Sequence, residues 1–119
     1  METDLTIDTN ALDAIRSLQQ PGSEDLVSKI ISMFLEDANR YRDEIGQAIR
    51  EGSAERVGVA AHSLKSCAAN VGAIQVSATA AALELLGRNA SLEDAPAQFE
   101  KLKSAVAAAR AKLVNQLDA

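Results

Sequence analysis

The sequence predicts an all-α fold, an antiparallel up-down four-helix bundle with a short additional helix at its N-terminal end. Three observations carry that expectation. Apolar residues recur in alternating steps of three and four through four long segments, and no segment shows the period of two that a half-buried strand needs. Hydrophobic residues make up 47% of the 119 but aromatics only 3%, so the core must come from Ala, Leu, Ile and Val, an Ala-rich mixture that favours helix. The connections, marked by Gly, Pro and Ser, are short, which sets consecutive helices side by side and reversed.

The elements follow in order. Residues 9–18 form a short helix, capped by Asp8 or Thr9, with Leu12, Ile15 and Leu18 as its apolar edge, and Gln20-Pro21-Gly22 ends it. A long helix spans 23–51: Ser23 is its expected cap, and Glu24 and Asp25 complement the positive end of its dipole. Its stripe is Val27, Ile30, Phe34, Ala38, Tyr41, Ile45 and Ala48, and Gly52 stops it. The third helix, 53–71, starts at Ser53, turns Val57, Ala60, Ala61, Leu64, Ala68 and Val71 inward, and closes at Gly72. A fourth covers 73–89 with Ile74, Ala81, Leu85 and Leu86 expected inside. Ser91 and Asp94 have the spacing of a capping box for the last helix, 92–117, where Pro96 is tolerated in the first turn and Phe99, Leu102, Val106, Ala109, Leu113 and Leu117 form one face. No repeat or composition shift divides the chain, so residues 1–119 read as one domain.

Composition narrows the function classes. The formal net charge of −5 argues against nucleic acid as a partner, which needs a basic footprint. A single cysteine and a single histidine cannot build a disulfide or a Cys/His zinc site, and a lone thiol fits a reducing cytoplasm. No apolar run reaches membrane-spanning length, and residue 1 is not followed by a signal-peptide pattern.

The chemistry converges on His62, the one imidazole. At about 100° per residue it lies roughly 140° from the core direction of its helix, facing solvent or the rim. Gly58, Lys65, Ser66 and Ala69 share its side. An outward imidazole with a lysine one turn away and small residues around it suits attack on phosphorus, with the ammonium offsetting phosphoryl charge and the small residues admitting another protein's loops. The same spacing also occurs in ordinary solvated His-x-x-Lys pairs. Cys67, about 80° from the core direction, reads as a packing residue. Arg56 and Arg88 read equally as solvated charges or as steering groups for an acidic partner.

The run His62-Ser63-Leu64-Lys65-Ser66, with Asn70-Val71-Gly72-Ala73 after it, closely resembles the phosphorylation motif of histidine-containing phosphotransfer (HPt) domains, and the resemblance extends over nearly the whole chain. It implies a phosphorelay intermediate that accepts a phosphoryl group on His62 from a receiver-domain aspartate and passes it to another receiver. Lys65 falls on the family's phosphate-contacting lysine, and Glu84 where the family often places a Gln or Glu that bonds the histidine ring. Gly58, Ser66, Ala69 and Gly72 would form the partner-docking surface, with Gly72 at a position needing a turn or close packing. Ser66 departs from the family's usual glycine. The resemblance implies no cofactor or metal in this chain, Mg²⁺ being expected on the receiver, and no kinase activity of its own. It also implies a monomer acting in the cytoplasm, either free-standing or as the C-terminal part of a membrane-anchored hybrid kinase. Two other functions compete: the dimerisation and phosphoacceptor domain of a sensor histidine kinase, and a four-helix interaction module in which His62 is incidental. Against the first, Ser63 follows the histidine where an acid is usual.

Overall fold

The computed structural model describes residues 6–18 and 25–117. Within them the chain is all-helical: α1 (Thr9–Ser17), α2 (Leu26–Arg50), α3 (Ala54–Asn70), α4 (Ile74–Arg88) and α5 (Ala95–Leu117). Contacts link α2 to α3, α3 to α4, α4 to α5 and α5 back to α2, with α1 resting on α2. The enclosed core holds Ile31, Ile45, Val57, Leu64, Leu83, Leu102 and Leu113, all buried, together with small residues such as Ala61, Ala68 and Ala80. Each fully buried Leu or Ile stabilises the fold by about 1.5–3 kcal/mol relative to exposure, while the alanines let helix axes approach closely.

The helix ends show why the boundaries fall where they do. The Asp8 carboxylate accepts the Asn10 N–H and caps α1. Asp25 caps α2 through the Ser28 N–H, whereas Ser23 and Glu24, like Gln20-Pro21-Gly22, lie outside the described residues. Ser53 caps α3 as expected, accepting from Arg56 N–H. Gly52 and Gly72 both adopt left-handed backbone (φ +69° and +74°), and the next N–H reaches back to Ala48 and Ala68 carbonyls respectively, the six-to-one closure of a glycine-terminated helix. Gly72 has a second constraint: its carbonyl accepts Asp8 N–H at 2.6 Å, and a β-carbon there would collide with the Asp8 carbonyl.

The last helix begins at Ala95 and not at 92. Ser91 does not open it: its N–H closes α4 on the Leu86 carbonyl, with Ala90 held at φ +52°, and the Asp94 carbonyl accepts from Gln98 N–H at the start of α5. Two inward assignments also change. Leu18 is the residue after the last helical turn of α1 and is exposed. In α4, Val76, Ala80, Leu83, Glu84 and Gly87 face inward, while Ile74 and Leu85 are exposed and Ala81 and Leu86 half-buried. This helix is apolar on most of its circumference, so periodicity does not select a face; packing against α3 does.

Candidate functional site

α3 and α4 pass one another in opposite directions. Ser77 Oγ donates to the Lys65 carbonyl, Glu84 lies beside His62, and Gly87 lies beside Gly58. Helical spacing explains what this aligns. His62 and Lys65 sit one turn apart on α3, and Glu84 sits one turn before Gly87 on α4, so one carboxylate faces both basic groups.

Glu84 accepts from three donors. His62 Nδ1 lies 2.7 Å from Oε2, Lys65 Nζ donates to Oε1 at 2.5 Å, and Arg88, one turn further along α4, donates to Oε2 at 2.9 Å. The Glu84 side chain is 6% exposed, against 56% for His62 and 35% for Lys65. The partners' own side chains cover it near the surface; it does not lie deep in the core. The Lys65 ammonium holds the Glu84 carboxyl below the ordinary carboxylate pKa; burial pushes the other way, and the bonds from His62 and Arg88 add to the lowering. The carboxylate is therefore charged at neutral pH. A charged carboxylate only accepts, so the His62 nitrogen that faces it, Nδ1, carries the proton. In the neutral form of the ring, which is exposed, the lone pair is then on Nε2.

The ring looks onto a groove of about 650 Å³ between the two helices, whose lining includes Gly58, Val59, Ser63, Gly87 and Arg88.

With that geometry in view, the family model of the Hpt domain matches residues 29–112, most of the chain. The chain belongs to the Hpt domain family. Two solved structures share the fold. Histidine-containing phosphotransfer protein B of Pseudomonas aeruginosa PAO1 is 23% identical with a TM-score of 0.88, covering 96% of each chain. A rice protein described as a histidine-containing phosphotransfer protein is also 23% identical, with a TM-score of 0.82 over 96% of this chain and 82% of its own. No curated protein sequence matches the chain.

The residues singled out in this Hpt domain from its sequence do not all share one surface. His62, Lys65 and Glu84 come together directly. Ser66 and Ala69 are exposed on α3 beyond His62, and Gly58 is half-buried beside it on the α4 side. The Ser66 hydroxyl turns back to the His62 carbonyl at 3.3 Å. Gly72 does not share that surface. It is buried at the far end of α3, where its left-handed backbone ties α3 to the start of α1, so the fold itself requires glycine there. Arg88 is a ligand of Glu84 rather than a free charge, and Arg56 pairs with Glu51. Burial, and then the nearby Asp37, push the Cys67 thiol pKa up, which keeps it protonated and poorly nucleophilic.

Sequence reasoning passed over Gly87. A glycine inside an otherwise strong helix costs about 1 kcal/mol relative to alanine and so asks for a packing reason, and that was the available signal.

Proposed function

We propose that His62 accepts a phosphoryl group on Nε2 from the aspartyl phosphate of one receiver domain and delivers it to the aspartate of another. As a member of the Hpt family the chain is a histidine phosphotransfer intermediate of two-component signalling. The observation that supports this residue assignment is the hydrogen bond from His62 Nδ1 to the buried, charged Glu84, which leaves Nε2 free on an exposed ring.

The chemistry follows from that bond. Nε2 attacks phosphorus in line as the bond from phosphorus to the aspartyl oxygen breaks, and the aspartate leaves as a carboxylate. The proton stays on Nδ1, so the ring becomes cationic, and Glu84 stabilises that charge through the bond it already makes. Lys65 is a flexible, partly exposed ammonium beside the ring, and it can move from Glu84 to the phosphoryl oxygens. Return transfer runs through the same arrangement, with the phosphoramidate nitrogen leaving as the next aspartate attacks. Ser66, Ala69 and Gly58 leave low relief around the ring for the receiver's loops.

The supporting frame is read as an antiparallel up-down bundle of α2–α5 within one domain, on the short connections and the ring of helix contacts. The protein is proposed to act as a monomer in the cytoplasm and to lack kinase activity, the sequence offering no Gly-rich nucleotide loop. Among the described residues, no helix is long and apolar enough to cross a membrane.

Incubation with a phosphorylated receiver domain tests the reading. Acid-labile, base-stable phosphate is expected on the wild type and not on His62→Gln; equal labelling of both overturns it. Label taken directly from ATP by the purified domain, or a stable dimer in sedimentation, would instead favour the sensor-kinase alternative.

A further inference from the structure

We infer that Gly87 is a positioning residue for phosphoryl transfer: by letting the α4 backbone touch the α3 backbone, it holds Glu84 within hydrogen-bond reach of His62. The inference rests on the proposed role of His62 and names a residue on the opposite helix that never meets the phosphoryl group.

A β-carbon built on Gly87 would lie 2.6 Å from Gly58 N, 2.7 Å from the Ala54 carbonyl oxygen and 2.8 Å from Gly58 Cα. All three obstacles are backbone atoms of α3, so no side-chain rotation relieves the collision. Ordinary contact begins near 3.4 Å, so a methyl group there must drive the helices apart by about 0.8 Å. Glu84 is one turn away on the same rigid helix and shares that displacement. Its 2.7 Å bond to His62 Nδ1 would open to about 3.5 Å, beyond the range of an N–H···O hydrogen bond.

The crossing is asymmetric. A β-carbon on Gly58 would meet only Arg88 N, the Glu84 carbonyl oxygen and Gly87 C, each at 3.9 Å, which is ordinary contact. The α3 glycine at this crossing therefore has room for a β-carbon against α4, and the α4 glycine has none against α3. Gly46 supplies a control for general destabilisation: its β-carbon would press on Phe99 Cζ at 2.7 Å, at the α2–α5 contact away from the histidine.

The test compares Gly87→Ala and Gly46→Ala with the wild type and Glu84→Gln. Imidazole ¹⁵N shifts read the His62 tautomer, and phosphoramidate serves as a small donor, with ammonia leaving as the N–P bond to His62 forms. In the wild type and in Gly46→Ala, the Nδ1-protonated form should dominate. In Gly87→Ala the shifts should move toward the tautomer mixture of free histidine, and phosphorylation should slow by tenfold to a hundredfold, the scale of a 1 Å misplacement. If Gly87→Ala is unstable at ambient temperature, the spectra are recorded at low temperature in a stabilising osmolyte, and a variant that stays unfolded there while Gly46→Ala folds overturns the positioning role in favour of a purely structural one. A wild-type tautomer and rate in folded Gly87 variants overturn the inference and leave the role of His62 standing. A wild type that phosphoramidate and a phosphorylated receiver both fail to label at His62 overturns the underlying reading instead.

Discussion

Glu84→Gln separates the orienting role of the carboxylate from its charge. In the structure Lys65, His62 and Arg88 converge on the carboxylate at 2.5, 2.7 and 2.9 Å, occupying both oxygens. An amide of the same shape offers one oxygen and one NH₂ group, which points a donor at a donor on one side. If the oxygen faces Lys65, the amide NH₂ requires Nδ1 of His62 to accept, the proton moves to Nε2, and the nucleophilic lone pair is lost. If the oxygen faces His62, the productive tautomer survives, and Lys65, whose side chain is 35% exposed, swings into water. The second orientation retains activity but replaces a charge-assisted bond with a neutral one roughly half as strong, just where the ring becomes cationic. Transfer from a phosphorylated receiver should therefore slow roughly tenfold, a small loss on the barrier scale. Glu84→Leu, which offers no acceptor, should lose roughly a hundredfold or more. Rapid-quench measurement of phosphohistidine formation checks both. Wild-type rates in Glu84→Leu would refute the orienting role.

The same substitution predicts a pH signature. The folded-state pKa of Glu84 is depressed below 4.5, chiefly by the Lys65 bond. Its contribution to stability is thus fully present above the unfolded carboxylate pKa and is lost as pH falls through the lower folded value. Urea midpoints of the wild type should exceed those of Glu84→Gln at neutral pH, and the difference should shrink below pH 4.5; a difference that grows on acidification would refute the assignment.

Other substitutions probe the frame and the lysine. Lys65→Ala should shorten the phosphohistidine lifetime severalfold without changing the helical circular dichroism, since its side chain is partly exposed at the rim of the bundle. Gly72→Ala should destabilise by about 2–4 kcal/mol in urea unfolding, combining left-handed strain with loss of the Asp8 contact. Ala90→Gly should stabilise by about 0.5–1 kcal/mol, because relief of its positive φ outweighs glycine's greater freedom in the unfolded chain.

The helices of this protein were legible because their signals are local. Asp8 and Ser53 cap by reaching two or three residues ahead, and Gly52 and Gly72 stop helices through their own backbone angles. The inward face of α3 was legible for a related reason: Val57, Ala60, Ala61, Leu64, Ala68 and Val71 form a stripe against polar neighbours, and all six are buried. In α4 the apolar residues run almost all round, so the expectation placed Leu85 inside, yet it is 58% exposed while Leu83 is buried. Likewise the capping-box spacing of Ser91 could not reveal that its N–H was already committed to ending α4.

At the site, sequence by itself singled out the candidate reacting group and its lysine, since His62 and Lys65 share a helix and the 3.6-residue turn fixes their side. Family resemblance supplied Glu84. Tertiary structure decided the rest: which ring nitrogen is bound, that one carboxylate serves three nitrogen groups, and that Gly72 belongs to the α1–α3 junction. The physical reason lies in the separation of α3 and α4. Residues 58 and 87, or 62 and 84, are linked by no periodicity along the chain, and they meet only because two backbones pack close enough to exclude a single methyl group.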